Sequence, residues 1–138
     1  MASHFITTKF TGGMAFNAGI GDHEVLMDAS PTEGGIDSGP GPKKLMLTSL
    51  AGCTGIDVVS ILNKMKVSFS DFTMDVEGFL TEEHPRIYHQ VKIVYKIKLT
   101  EADRSKMEKA VGLSEDKYCG VMAMFKAFAK VETEIKYE

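Results

Sequence analysis

The chain has 138 residues, of which 43% are hydrophobic and 25% are charged, and this composition excludes disordered and fibrous proteins. Its formal net charge of -3 argues against a nucleic-acid partner, because such partners favour basic surfaces. It has no basic amphipathic stretch for a membrane surface, and residues 1–10 do not resemble a secretory signal. We therefore expect one cytoplasmic domain, residues 1–138, with reduced cysteines.

The N-terminal part of the chain has the pattern of an antiparallel meander. Between residues 3 and 30, short alternating apolar segments are separated by glycine turns at Gly12-Gly13 and at Gly21-Asp22. This spacing predicts three strands. The segment 30–41 is rich in Gly, Pro and Ser and is predicted to be a loop.

Residues 42–65 are predicted to form a long central helix. Pro42 suits the first helical position, and no further proline follows in the segment. Apolar residues occupy nearly every side, so we expect the helix to be buried all round. Its polar residues and lysines interrupt every long apolar run, and on that ground we expect no membrane span.

A long hairpin and a C-terminal region complete an α+β fold. Apolar residues alternate at even positions in 72–80 and at odd positions in 87–99, which predicts two paired strands. A short helix over 101–112 is expected to end at Gly112. A second helix is expected to begin at Ser114, and a final strand over 131–137 follows.

Polar residues form one stripe on the central helix, at the spacing that places side chains on one face: Ser49, Cys53, Asp57 and Ser60. A buried cysteine is often only a small apolar residue. Polar neighbours beside the thiol of Cys53 favour a chemical role instead.

The second cysteine, Cys119, lies near the predicted start of a helix and follows Lys117, so it could be acidified by the helix dipole and a cation. Cys53 lies in mid-helix and needs a cation from elsewhere. Candidates are Lys43, Lys44, Lys117, Arg86 or a residue of a second subunit.

Other chemistries have little support in the sequence. The chain contains no CxxC, HExxH or phosphate-binding glycine motif. The four histidines lack the grouped spacing of zinc ligands and are expected at the surface: His4, His23, His84 and His89. We expect no metal site and no bound cofactor.

Several motifs together resemble the OsmC/Ohr family of osmotically inducible and organic-hydroperoxide-resistance proteins. They are the proline-led helix start, LAGCTGIDVV in mid-helix and YCGVMAMF near the C-terminus. The resemblance covers nearly the whole chain. It implies an OsmC-like fold in an intertwined homodimer, with paired central helices between sheets.

The resemblance also implies a thiol peroxidase that reduces organic hydroperoxides. Cys53 is the implied attacking residue, which becomes a sulfenic acid, and Cys119 is the implied resolving residue, which forms a disulfide with it. A dithiol, such as a protein-bound lipoyl group, is the implied reductant.

The sequence departs from the family pattern at two positions. Met14 stands where active hydroperoxidases have a thiolate-stabilising Arg, and Lys43 stands where they have its Glu partner. Lys43 and Lys117 are therefore the candidates for stabilising the thiolate, and the Cys-Thr-Gly-Ile-Asp sequence is more similar to the OsmC-like branch. A second hypothesis is a non-enzymatic protein that binds a small hydrophobic ligand at the dimer interface.

Overall fold

The computed structural model describes residues 1–138, which form two compact units, Met1–Met46 and Leu47–Glu138. Six strands form two separate three-stranded sheets, and the chain also has three α-helices. The predicted α+β class is therefore confirmed. The predicted single domain and the intertwined homodimer stay predictions.

The first unit contains the predicted meander. Strands β1 (Thr7–Gly12), β2 (Ala15–Ile20) and β3 (His23–Met27) pair in sequence order, and both pairs are antiparallel. Gly12 ends β1 and Gly13 begins the two-residue turn that follows, with φ of 113° and 58°, values that favour glycine over other residues. The meander prediction is confirmed.

The loop after β3 is closed by one buried carboxylate, that of Asp28. It accepts hydrogen bonds from the Ser38 hydroxyl at 2.7 Å and from the backbone N–H groups of Ser38, Ile36 and Ala29. These bonds, above all that from the Ser38 hydroxyl, lower the pKa of Asp28 below its usual value. The carboxylate is fully used in holding the loop.

The second unit contains the predicted hairpin and a third strand. Strands β4 (Phe69–Leu80) and β5 (Tyr88–Leu99) are antiparallel, as predicted. Strand β6 (Lys130–Tyr137) pairs with β5 in the parallel direction, so β5 is the central strand. Its inward residues form much of the core: Tyr88, Val91, Ile93, Tyr95 and Ile97.

Helix α1 (Pro42–Lys64) is as long as predicted but is not buried all round. Its buried residues follow a single stripe with a spacing of four: Leu50, Thr54, Val58 and Leu62. Ile56, on another side, is 72% exposed. The prediction that α1 is buried on all sides is therefore wrong for the single chain, because the rest of the chain covers only one face of the helix.

Helix α1 also has the length and apolar composition of a membrane-spanning helix. This test considers only length and composition, and the prediction that α1 does not span a membrane stays a prediction. A core helix of a soluble protein passes the same test, so the finding is weak evidence for a membrane location.

The C-terminal helices differ from their predicted boundaries. Helix α2 (Arg104–Leu113) runs past Gly112 and continues into a wide π-helical turn, Ser114–Tyr118. Helix α3 (Gly120–Phe128) begins only after that turn. The prediction that the helix ends at Gly112 is wrong, because the helical hydrogen bonds continue past this residue. Ser114 begins this wide turn, whereas the α-helix predicted from Ser114 begins only at Gly120.

Candidate functional site

The structure brings the two cysteines together. The sulfur atoms of Cys53 and Cys119 and a carboxylate oxygen of Asp57 all lie within 4.8 Å of one another. Both cysteines are free thiols, with Cys53 half-buried and Cys119 only 3% exposed. Residues far apart in the chain therefore form one compact cluster within the second unit.

Helix α1 supplies Cys53 and Asp57, which lie one turn apart on the same face. The other polar residues of the predicted stripe, Ser49 and Ser60, are exposed. Ser60 lines a separate groove on α1. Only the central part of the stripe therefore belongs to the cluster.

Cys119 occupies the N-cap position of helix α3. Its sulfur accepts a hydrogen bond from the backbone N–H of Met122 at 3.2 Å, as an N-cap side chain does. Its own N–H donates to the carbonyl oxygen of Ser114 at 2.9 Å, across the wide turn. Wide turns of this kind are frequent at functional sites.

Ser114 links this turn to helix α1. Its buried hydroxyl donates a hydrogen bond to the Asp57 carboxylate at 3.1 Å. The same residue thus contacts Asp57 through its side chain and Cys119 through its backbone. Sequence reasoning missed this role, because nothing in the local sequence indicates the partner of a serine 57 residues away.

Burial, and after it a hydrogen bond with Cys53, raise the pKa of Cys119 to about 11, although the Met122 N–H acts in the opposite direction. The expectation that Cys119 is acidified is therefore wrong. Its position at a helix start is as expected, but loss of hydration outweighs the favourable N–H group. Cys119 keeps its proton at neutral pH.

Beneath the cluster lies the hydroxyl of Tyr95, which is fully buried and makes no hydrogen bond of acceptable geometry. Burial raises the pKa of Tyr95 to about 12 against the opposing effect of a polar contact with the Thr54 hydroxyl, and the nearby Glu115, Cys119 and Asp57 act in the same direction as burial. The nearby Thr54 hydroxyl donates to the carbonyl of Leu50 at 2.9 Å. Sequence reasoning placed Tyr95 on the apolar face and gave it no role.

The two candidate lysines lie in different parts of the chain. Lys43 is exposed in the first turn of α1 and belongs to the first unit. Lys117 is exposed in the wide turn, with its ammonium 5.4 Å from the centre of the Tyr118 ring. The groups that shift the pKa of Cys119 include no lysine or arginine. Met14 is half exposed beside the glycine turn of the first unit.

The exposed side of α1 forms a shallow groove of about 630 Å³. Small and apolar residues predominate in its lining: Gly52, Gly55, Ile56, Val59, Ser60, Asn63 and Phe72. The groove leaves a large apolar surface of the central helix uncovered by its own chain.

Comparison with known proteins places these features in context. Residues 34–134 match the family model described as OsmC-like protein. Protein YhfA of Escherichia coli K12 is 30% identical over 117 residues, which cover 84% of each chain.

Solved structures show the same fold. A hypothetical protein from Aquifex aeolicus VF5 matches with a TM-score of 0.87 and 26% identity, covering 100% of this chain and 98% of the other. The organic hydroperoxide resistance protein OhrB of Bacillus subtilis matches with a TM-score of 0.65 and 17% identity, and 98% of each chain is covered.

Proposed function

Because the chain belongs to the OsmC-like protein family, we propose that it reduces organic hydroperoxides through Cys53 and Cys119. The observation that carries the proposal is the approach of the two sulfur atoms to within 4.8 Å. A disulfide has an S–S distance of about 2.05 Å, so a local shift of about 3 Å joins them. The similarity in fold to the hydroperoxide resistance protein of Bacillus subtilis supports the substrate class.

The difference in burial supports the assignment of roles. Cys53 is the more accessible sulfur, as a residue that meets the substrate must be. Cys119 is almost fully buried and retains its proton, and its thiol is hydrogen-bonded to Cys53. A neutral thiol that donates to the neighbouring sulfur stabilises a thiolate there.

In the first step, the Cys53 thiolate attacks the peroxide oxygen, the O–O bond breaks, and the alkoxide takes a proton to leave as an alcohol. Cys53 is oxidised to a sulfenic acid. The Cys119 sulfur then attacks the sulfenic sulfur, and a disulfide forms with loss of water. A dithiol, such as a protein-bound lipoyl group, reduces the disulfide and becomes a disulfide itself. No bound cofactor takes part.

The positive charge that favours the thiolate is assigned to Lys43 or Lys117 in this proposal. Lys117 already has its ammonium over the Tyr118 ring, which makes it the weaker candidate. A lysine lacks the rigid donor fork of an arginine. We therefore expect the wild type, which has Met14 and depends on Lys43, to be slower than a variant with arginine at position 14.

The uncovered groove on α1 supports a homodimer, and the cytoplasm is part of the proposal as the compartment in which both cysteines stay reduced. A helix with a largely exposed Ile56 beside glycines is well suited to close packing against a second copy of the same helix. The same groove favours the second candidate function, binding of a small hydrophobic ligand at the dimer interface without peroxide chemistry.

A turnover assay with cumene hydroperoxide and dihydrolipoamide tests the proposal. Cys53→Ser is expected to lower the rate at least about 100-fold, because the nucleophile is lost. Lys43→Met and Lys117→Met identify the cation, with Lys64→Met at the far end of α1 as the matched control, and Met14→Arg is expected to increase the rate. Equal rates for the wild type and Cys53→Ser would exclude the enzyme and leave the ligand-binding function.

A further inference from the structure

We propose that the reduced cluster of Cys53, Asp57 and Cys119 is also a binding site for a thiolate-seeking divalent metal ion of the Zn²⁺ class. Two sulfurs and a carboxylate oxygen are donor types that Zn²⁺ prefers. The sequence hid this site, because its ligands are dispersed along the chain and include no histidine.

The distances between the donor atoms suit such an ion. Zn–S bonds of about 2.3 Å and Zn–O bonds of about 2.1 Å place tetrahedral donors about 3.5 to 3.8 Å apart. The three donor atoms already lie within 4.8 Å of one another, so closure around a metal requires movements of about 1 Å. The movements fall on three side chains that can rotate about their own bonds, two in the middle of α1 and one at the N-cap of α3.

The electrostatic setting also favours a cation. The groups that act on Cys119 are another thiol, a carboxylate and one backbone N–H, without a lysine or arginine. A divalent ion would compensate the charge of two thiolates and one carboxylate in this buried place, and the two thiol protons would pass to solvent.

The surrounding polar groups resemble the support of a metal site. Ser114 donates to Asp57 and thereby orients one ligand, as outer hydrogen bonds do at metal sites. The fully buried hydroxyl of Tyr95 and the buried Oε1 of Glu115 have no hydrogen-bond partner. Glu115, Cys119 and Asp57 all act on the pKa of Tyr95, so these groups share one environment. A water molecule in the fourth coordination position would give the Tyr95 hydroxyl a partner.

Metal binding and the proposed peroxide reaction would exclude each other. A bound ion occupies both thiolates and protects them from oxidation. Formation of the Cys53–Cys119 disulfide, with the hydroperoxide as the oxidant, removes two ligands and releases the ion. The metal site depends only on the cluster, so it does not require that the protein turns over peroxides.

The test is titration of the reduced, EDTA-treated and desalted full chain with Zn²⁺, and with Co²⁺ as a spectroscopic probe. We expect one ion per chain, a visible band of tetrahedral thiolate-bound Co²⁺ and release of protons. Asp57→Asn and Ser114→Ala are each expected to weaken Zn²⁺ binding about 10-fold or more. Asp75→Asn, which changes an exposed carboxylate paired with Lys96, is the control and is expected to bind as the wild type does.

Folding of each variant is monitored by thermal unfolding without metal, and Zn²⁺ is expected to raise the Tm of the wild type and of Asp75→Asn more than that of Asp57→Asn. No 1:1 binding tighter than about 10 μM would overturn the proposal, as would equal affinity in Asp57→Asn and the control. The peroxide assay, run separately in EDTA, decides the proposed function independently of this result.

Discussion

The Ser114 hydroxyl donates a hydrogen bond to the Asp57 carboxylate at 3.1 Å and so joins the turn before α3 to the middle of α1. Each of these segments carries one of the cysteines. Asp57 lies one helical turn after Cys53 on α1, and the carbonyl oxygen of Ser114 accepts a hydrogen bond from the backbone N–H of Cys119. This single contact therefore contributes to the spacing of the two sulfurs.

Ser114→Ala is expected to loosen that spacing. Removal of a hydrogen bond to a partly buried carboxylate costs about 1 to 3 kcal/mol of unfolding free energy. The rate of disulfide formation after peroxide addition is expected to fall about 10-fold or more, because small misplacements of reacting groups are costly. Urea unfolding and stopped-flow measurements check both effects. Ser105→Ala, at an exposed position of α2, is the control. The same unfolding free energy and the same rate of disulfide formation in Ser114→Ala and Ser105→Ala would contradict the positioning role of Ser114.

Tyr95→Phe is expected to stabilise the metal-free protein by about 1 kcal/mol. The Tyr95 hydroxyl is buried without a hydrogen bond, so its removal relieves a desolvation cost and leaves the packing of the ring unchanged. The control is Tyr137→Phe, which loses a hydrogen bond to the Arg104 carbonyl at 3.1 Å and is expected to be slightly destabilised. Denaturant unfolding of both variants measures the difference. A loss of stability in Tyr95→Phe would show that the hydroxyl has a bonded partner.

The stability of the metal-free protein is expected to fall in alkaline solution through Cys119. Its pKa is about 11 in the folded chain and near the reference value of 9.0 in the unfolded chain. The unfolded state therefore loses its proton first, and stability decreases as the pH rises from 9 to about 11. The limiting slope is about 1.4 kcal/mol per pH unit.

Cys119→Ser removes this titration and keeps a side chain able to cap α3. The difference in unfolding free energy between wild type and Cys119→Ser, measured from pH 7 to 11, isolates the contribution of Cys119 from those of tyrosines and lysines. A difference that does not change with pH would contradict the burial argument.

The sequence predicted those parts of the molecule that depend on local pattern. Alternation of apolar residues identified the hairpin of β4 and β5, and the helical spacing placed Cys53 and Asp57 on one face. The parallel pairing of β6 with β5 was not predicted, because alternation gives the inward face of a strand and not its partner. The approach of Cys119 followed from family resemblance, and the contributions of Ser114 and Tyr95 depend on tertiary contacts that no local spacing encodes.

The exposed face of α1 is expected to form the dimer interface. Ile56→Lys places a charge in the groove, and because a buried unpaired charge is costly, the variant is expected to be monomeric at concentrations at which the wild type is dimeric. Ile56→Val keeps the apolar surface and is the matched control. Sedimentation velocity distinguishes the two states. A wild type that is monomeric at all concentrations, or a dimeric Ile56→Lys, would exclude this interface.

The most direct test of the central claim is peptide mass spectrometry of the reduced, EDTA-treated protein after addition of one equivalent of cumene hydroperoxide. The account predicts a Cys53–Cys119 disulfide within the chain, and in Cys119→Ser a sulfenic acid at Cys53 that dimedone traps. Two cysteines that remain free thiols after exposure to the hydroperoxide would contradict it. A disulfide that joins two separate chains, with no Cys53–Cys119 bond within a chain, would contradict it as well.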